Sequence, residues 1–324
     1  MDEFAAIARY LAPLAAAEPG ALGLTDDAAL LDPPPGRSLV LTKDVMAAGV
    51  HFLRDDAAAL VARKLLRVNL SDLAAMGAAP WAYLLGLTLP RPFDEAWLAD
   101  FAAGLAADQA AFGITLVGGD TTAHDGPMVL SLTALGTVAV GRALRRGTAR
   151  AGDTVWVSGT LGDGALGLRA LRGELAALAE TDRTFLAGRY HLPEPRLTLG
   201  AGLVGLASAA IDVSDGLLAD LGHIRETSGL GAEVHVDRVP LSAAARAAIA
   251  HDPALMADVL GGGDDYELLF TAPGAATDAI LALGARTGVG VTPIGRMVAG
   301  QGINLLDAAG RPIPPPTRAG WAHF

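Results

Sequence analysis

Short apolar runs alternate with longer stretches of helical period along this chain of 324 residues, and several of the runs end in an aspartate. That alternation restricts the fold more than any other feature, because strands and helices taken in turn build a sheet backed by helices. Residues 39–42, 83–89, 114–117 and 128–140 read as strands. Helices are predicted over 60–73, with Val61, Leu65 and Val68 on one side, and over 95–112, with Trp97, Phe101 and Leu105 inward. Ahead of them, Phe4, Ile7, Leu11 and Leu14 share one face of a predicted amphipathic helix. A further apolar run covers 28–31. The fold class is α/β with a mixed sheet.

The pattern then breaks and starts again. Residues 145–153 are polar, basic and hold two glycines, the composition of a boundary between domains. Beyond them, strands are predicted at 154–158, 209–213, 232–236, 266–271 and 291–296. Helices are predicted at 162–172, 182–190, 196–207 and 216–227. The expected organisation is two domains, 1–144 and 150–324, which suits a chain too long for one small core. The proline-rich stretch 312–316 reads as a rigid turn.

Composition removes whole classes of function. There is no cysteine, which excludes disulfides, thiolate metal sites and thiol nucleophiles together. A formal net charge of −11 argues against a nucleic-acid surface, which needs a basic stripe. The most apolar stretches are short and broken by Gly and Ser, so no membrane span of about 20 residues is expected. Asp2 and Glu3 make the start unlike a signal peptide, and a cytoplasmic location is expected. An acidic chain can still take an anionic nucleotide if its carboxylates first collect divalent cations.

Six short aspartate motifs fall at element ends, where loops carry functional groups. They are Thr25-Asp26-Asp27, Thr42-Lys43-Asp44, Asn69-Leu70-Ser71-Asp72, Gly118-Gly119-Asp120, Asp212-Val213-Ser214-Asp215-Gly216 and Gly262-Gly263-Asp264-Asp265-Tyr266-Glu267. Each alone has an ordinary structural reading: Asp26 and Asp27 in a turn, Asp72 on a solvated helix face, Asp215 capping the helix that follows. Together they say more. Asp44, Asp120 and Asp212 each follow an apolar run, and that edge of an α/β sheet is where ligands bind. Converging carboxylates repel unless cations sit between them. Mg²⁺ takes oxygen ligands from carboxylates and substrate phosphates, so the composition suits a metal–nucleotide site. Gly118 and Gly119 would let backbone amides approach a phosphate. No Walker-type lysine loop and no protein-kinase motif is present.

Five segments in order, LTKDVMAAGVHF (41–52), VNLSDLAAMGAAP (68–80), LVGGDTT (116–122), IDVSDGLLADLGHI (211–224) and GGDDYELLF (262–270), together with the closing Gly320-Trp321, closely resemble the thiamine-phosphate kinase family. That family lies in the aminoimidazole-ribonucleotide-synthetase-like (PurM-like) superfamily. The resemblance implies an N-terminal α/β domain that dimerises through its sheet and a C-terminal α/β domain. It implies transfer of the γ-phosphoryl of ATP to thiamine phosphate with several Mg²⁺ ions. Carried over, it makes Asp27, Thr42, position Lys43, Asp44, Asp72, Asp120, Asp212 and Asp215 metal ligands. Gly119, Asp120, Arg146 and Ser214 would contact ATP, while His51, Asp264 and Trp321 would meet thiamine phosphate. Taken alone, His51, Arg146 and Trp321 read as an edge histidine, a linker arginine and a packing residue.

The chain departs from the family pattern at three positions. Thr25 stands for a usual Gly, so its loop must avoid positive φ or bear strain. Lys43 stands for a usual hydroxyl residue, leaving only its carbonyl as a ligand. Asp264 stands for a usual Glu. Competing readings are an amidine-forming synthetase of the same superfamily and a nucleotide or thiamine-phosphate sensor without turnover.

Overall fold

The computed structural model describes residues 3–92, 94–317 and 320. The chain divides into two compact units, Met1–Leu73 with Ala78–Gly141, and Ala74–Gly77 with Arg142–Phe324.

The first unit begins with a short helix α1 (Glu3–Ala6), a π-helical turn at Ile7–Leu11 and a 3-10 turn at Ala12–Ala15. The single amphipathic helix expected here is not formed. Pro13 has no amide to donate, and the changing helical pitch moves Phe4 out of line with Leu11 and Leu14. Leu11 and Leu14 are buried, whereas Phe4 is 81% exposed. Four strands follow: β1 (Arg37–Ala47), β2 (Ala79–Pro90), β3 (Thr115–His124) and β4 (Val129–Ala139). They form a sheet of order β1-β4-β2-β3, with β2 and β3 parallel and the other pairs antiparallel. The parallel pair needs a crossover, which α3 (Glu95–Phe112) supplies. Its ends are written in the sequence. The Asp94 side chain accepts the Ala96 amide, and Gly113 closes the helix in the left-handed region.

α2 (Ala58–Ala75) links β1 to β2 and packs against α3, where a Cβ on Gly104 would collide with the Ala59 backbone. A buried ion cluster ties the two helices. Asp108 is fully buried and accepts from Arg63 and Arg67 at 2.9 and 2.6 Å, and the Arg67 guanidinium lies 5.1 Å above the Phe112 ring.

The second unit holds a seven-stranded sheet of order β11-β10-β7-β9-β5-β8-β6. In chain order its strands are β5 (Thr154–Ser158), β6 (Ala209–Asp212), β7 (Gly231–His235), β8 (Leu268–Ala272), β9 (Val291–Val298), β10 (Ile303–Leu306) and β11 (Pro312–Ile313). β5 and β8 lie inside the sheet and β6 at its edge; all three are mostly apolar and buried apart from half-buried Thr154, with Trp156 stacked on Phe270 inside. The helices are α4 (Asp163–Leu171), α5 (Glu180–His191), α6 (Leu197–Leu203), α7 (Leu217–Ser228), α8 (Ala243–His251), α9 (Met256–Gly261) and α10 (Thr277–Thr287). No strand or helix was expected over α8, α9, α10 or β10. The segment of α8 is mostly alanine, so its inward face carries few large side chains and little legible period. The proline-rich end holds β11, which pairs with β10. Among the described residues, no helix is long and apolar enough to cross a membrane.

Candidate active site

In the first unit, a strand of period two meets a helix of period 3.6, and the meeting brings oxygen atoms together. On β1, Thr42 and Asp44 point to the same face as buried Val40 and Met46. On α2, Asn69 and Asp72 are one helical turn apart and face them. The Thr42 hydroxyl donates to an Asp72 carboxylate oxygen, and Asn69 Oδ1 accepts the Asp44 amide at 3.2 Å. Asn69 is itself held by its amide donating to the Leu65 carbonyl at 2.9 Å. Burial, with the Asp72 charge behind it, pushes the Asp44 carboxyl up to about 7. Two carboxyl groups are thus brought close together at a half-buried place. The donors are hard oxygens, which fits Mg²⁺ and not a softer metal.

Lys43, between Thr42 and Asp44, points to the opposite face of the sheet, where its ammonium lies 3.4 Å from the Thr133 hydroxyl. That face forms a cavity of about 850 Å³ whose polar lining includes Asp26, Asp27, Lys43, Asp120, Thr122 and Ser131. Asp120 stands in one row with Gly86, Ser131 and Val45. The predicted ligands of this unit therefore fall into two groups: Thr42, Asp44 and Asp72 on the helix-covered face, Asp27, Lys43 and Asp120 on the other. Asp44 and Asp120 also sit on opposite edge strands, three strand spacings or roughly 14 Å apart.

Gly119 is required by its surroundings, since a Cβ there would lie 1.9 Å from the Leu85 carbonyl oxygen. Thr25 avoids the left-handed region with φ −114°, and positive φ falls instead on Leu22, Gly23 and Leu24. His51 closes a tight turn after β1. Its Nδ1 accepts the Ala47 amide at 3.1 Å, which leaves Nε2 as the protonated nitrogen of the neutral ring.

In the second unit, Asp212 ends β6 and is buried. The turn after it is organised by Asp220, which is not among the six aspartate motifs. One carboxylate oxygen of Asp220, in the first turn of α7, accepts the amides of Ser214, Asp215 and Gly216 at 3.0, 3.1 and 3.1 Å. The legible signal was an acidic residue just inside a predicted helix start. Burial, then the Asp215 charge, pushes Asp220 up to about 7 against those three amides. Gly216, not Asp215, is the N-cap, with no side-chain cap bond.

Asp215, Asp220 and His223 bring ligand atoms within 4.8 Å of one another, and Asp215 and His223 line a cavity of about 440 Å³. Gly320 packs on Ala219 beside it. Trp321 lies outside the described residues. Arg146 is exposed, and its carbonyl accepts from the Ser228 hydroxyl at 3.4 Å.

The loop before β8 is paired to this turn. The amides of Asp264 and Tyr266 donate to the carbonyls of Ser214 and Val213 at 2.9 and 2.8 Å. A Cβ on Gly263 would lie 2.1 Å from the Ser214 oxygen. Asp212, Ser214, Asp215 and Asp264 are in this way brought together from segments some fifty residues apart in the chain.

Residues 25–138 match the N-terminal domain family of AIR synthase related proteins, and residues 150–307 match the corresponding C-terminal domain family. A thiamine-monophosphate kinase of Caulobacter vibrioides is 46% identical over 99% of this chain and 90% of its own length. The crystal structure of thiamine-monophosphate kinase from Stenotrophomonas maltophilia K279a superposes with a TM-score of 0.85 at 44% identity, covering 97% of this chain and 98% of that one. AaThiL complexed with AMPPCP and TMP superposes with a TM-score of 0.79 at 32% identity, covering 92% and 91%.

Proposed function

Because the chain belongs to the thiamine-monophosphate kinase family of AIR synthase related proteins, we propose that it transfers the γ-phosphoryl group of ATP to thiamine phosphate, giving thiamine diphosphate and ADP. The observation that supports this reading is the Thr42–Asp44–Asp72 constellation, a cluster of half-buried oxygens in which burial, with one carboxylate's charge beside it, raises the pKa of the other. We take the chain's two domains as 1–144 and 150–324, close to its two compact units except that 74–77 and 142–144 group with the second. Asp27, Thr42, the Lys43 carbonyl, Asp44, Asp72, Asp120, Asp212 and Asp215 are the residues that would hold Mg²⁺. When bound, Mg²⁺ would neutralise the charge of two polyanions and of the leaving diphosphate.

The chain's own groups do the rest. Gly119 keeps the backbone open for close approach, and Ser214 and Arg146 are the remaining contacts for ATP. His51, with Nε2 protonated, is suited to donate to the acceptor's phosphate. Asp264, a carboxylate, complements its cationic end, and Trp321 would stack on a ring. The acceptor is a phosphate monoester with a second pKa of about 6, already mostly dianionic at neutral pH. No general base is needed. Positioning and charge compensation suffice, and transfer is direct and in line, with inversion at phosphorus.

The working form is a homodimer joined through the open face of the first sheet. Leu39, Leu41, Val45 and Leu84 stand 40%, 61%, 48% and 41% exposed there, an apolar face of the kind that marks a partner surface. A second copy also answers the separation of Asp44 from Asp120 within one sheet, because Asp120 of the other copy can complete the Asp44 group.

Incubation of the purified protein with ATP, Mg²⁺ and thiamine phosphate tests the reading. Thiamine diphosphate and ADP should form in equal amounts, and Asp72→Asn should lower kcat by about 10²–10³-fold, the scale of a lost electrostatic catalytic group. Tight binding of both substrates without product would mark a sensor and overturn it.

A further inference from the structure

Two residues of the loop before β8, Asp264 and Tyr266, adopt left-handed backbone conformations with φ 68° and 53°. Neither is glycine, and two such residues flanking a third need surroundings that hold them there. Those surroundings are present. The buried Asp265 carboxyl between them accepts the amides of Gly162 and Gly164 at 2.7 and 3.0 Å. The amides on either side, of Asp264 and Tyr266, are bonded to the Ser214 and Val213 carbonyls. Next along the chain, buried Glu267 is gripped by Ser158, Arg189 and Arg196.

One consequence of this backbone is that side chains two residues apart meet on the same side. The Tyr266 hydroxyl donates to Asp264 Oδ1 at 3.2 Å. A ring needed only for packing would be served by phenylalanine, and the hydroxyl adds a hydrogen bond to a charged acceptor. Asp264 has a short arm on a fixed backbone, and the hydroxyl bond holds one of its carboxylate oxygens in place.

We infer that Tyr266 is a positioning residue for the acceptor substrate: its hydroxyl sets the Asp264 carboxylate in the orientation that meets the cationic end of thiamine phosphate. The inference rests on the reading that Asp264 touches that substrate. It assigns Tyr266 a part in discriminating thiamine phosphate from phosphate monoesters that lack a cation, and no part in ATP binding.

A double-mutant cycle with steady-state kinetics tests it. Tyr266→Phe should raise KM for thiamine phosphate by about tenfold, the scale of one hydrogen bond to a charged group. KM for ATP should stay unchanged, and kcat should stay within about twofold. Asp264→Ala should raise the same KM, and adding Tyr266→Phe to it should change nothing further. A Tyr266→Phe effect that persists in the Asp264→Ala background, or that falls on ATP, would mean a general structural role and overturn the inference. If Asp264→Ala raises KM while Tyr266→Phe does not, the inference about Tyr266 fails alone. If Asp264→Ala leaves KM for thiamine phosphate unaltered, the assignment of Asp264 fails and the inference falls with it.

Discussion

Asp265 accepts two backbone amides in a place sealed from water, and burial pushes its carboxyl up to about 8 despite those amides and the nearby Arg189. In the unfolded chain the same group titrates near 4. Between about pH 4 and pH 8 the folded protein therefore keeps a proton that the unfolded chain has released. Stability falls as pH rises through that window and is fully present only below it. Chemical denaturation of the metal-free protein at pH 5 and pH 8 should show this decline, and Asp265→Asn should flatten it, at a lower stability at pH 5. Equal slopes in the two proteins would mean that Asp265 is ionised across the range. Asp44 and Asp220 share the upward direction for a related reason, burial first and then a neighbouring carboxylate. Aspartates with identical side chains thus differ by what surrounds them, which a list of motifs does not reveal.

At the scale of elements, the sheet and its crossover depend on how α2 and α3 are joined. Asp108 is fully buried against Arg63 and Arg67. Removing one partner of a buried ion group leaves the other charged and unpaired, so Asp108→Ala should cost about 3–5 kcal/mol in urea unfolding. A loss below about 1 kcal/mol would show that water reaches the arginines, as for surface pairs. None of this was legible in the sequence, where Asp108 is one polar residue in an alanine-rich helix. The helix itself was legible over its whole length, because Asp94 and Gly113 mark its ends and Phe101 and Leu105 its buried face, while Trp97, also expected inward, is only half-buried. The same holds for β5 and β6, whose apolar runs are bounded by polar turns. The first fifteen residues misled because one apolar stripe was read across a change of helical pitch. Of the motif aspartates expected at element ends, Asp264 does lie in a loop, whereas Asp44 lies inside β1 and Asp72 inside α2, because both elements run past the apolar residues that mark them in sequence. Asn69 holds the Asp44 amide, Asp220 the 214–216 turn and Tyr266 the Asp264 carboxylate, each through a neighbour that only the folded chain supplies.

For the whole molecule, alternation along β1 has a consequence that reaches past one chain. Asp44 and Asp120 occupy opposite edges of the first sheet, whose face opposite Asp44 exposes Leu39, Leu41, Val45 and Leu84. If a second copy supplies Asp120, inactive Asp44→Asn and Asp120→Asn proteins should complement when unfolded together and refolded as a mixture. One intact site would form in each mixed dimer, restoring about a quarter of wild-type activity for random pairing of two subunits. A mixture as inactive as its components would place both aspartates in one chain's site or dismiss the dimer. The claim beneath all of this is that aspartates from separate motifs hold divalent cations for a nucleotide. Electron paramagnetic resonance of bound Mn²⁺, with a non-hydrolysable ATP analogue and thiamine phosphate present, measures it most directly. The wild type should bind more than one Mn²⁺ per chain, and the Asp44→Asn, Asp72→Asn double variant should lose at least one. An unchanged count in that variant would contradict the account.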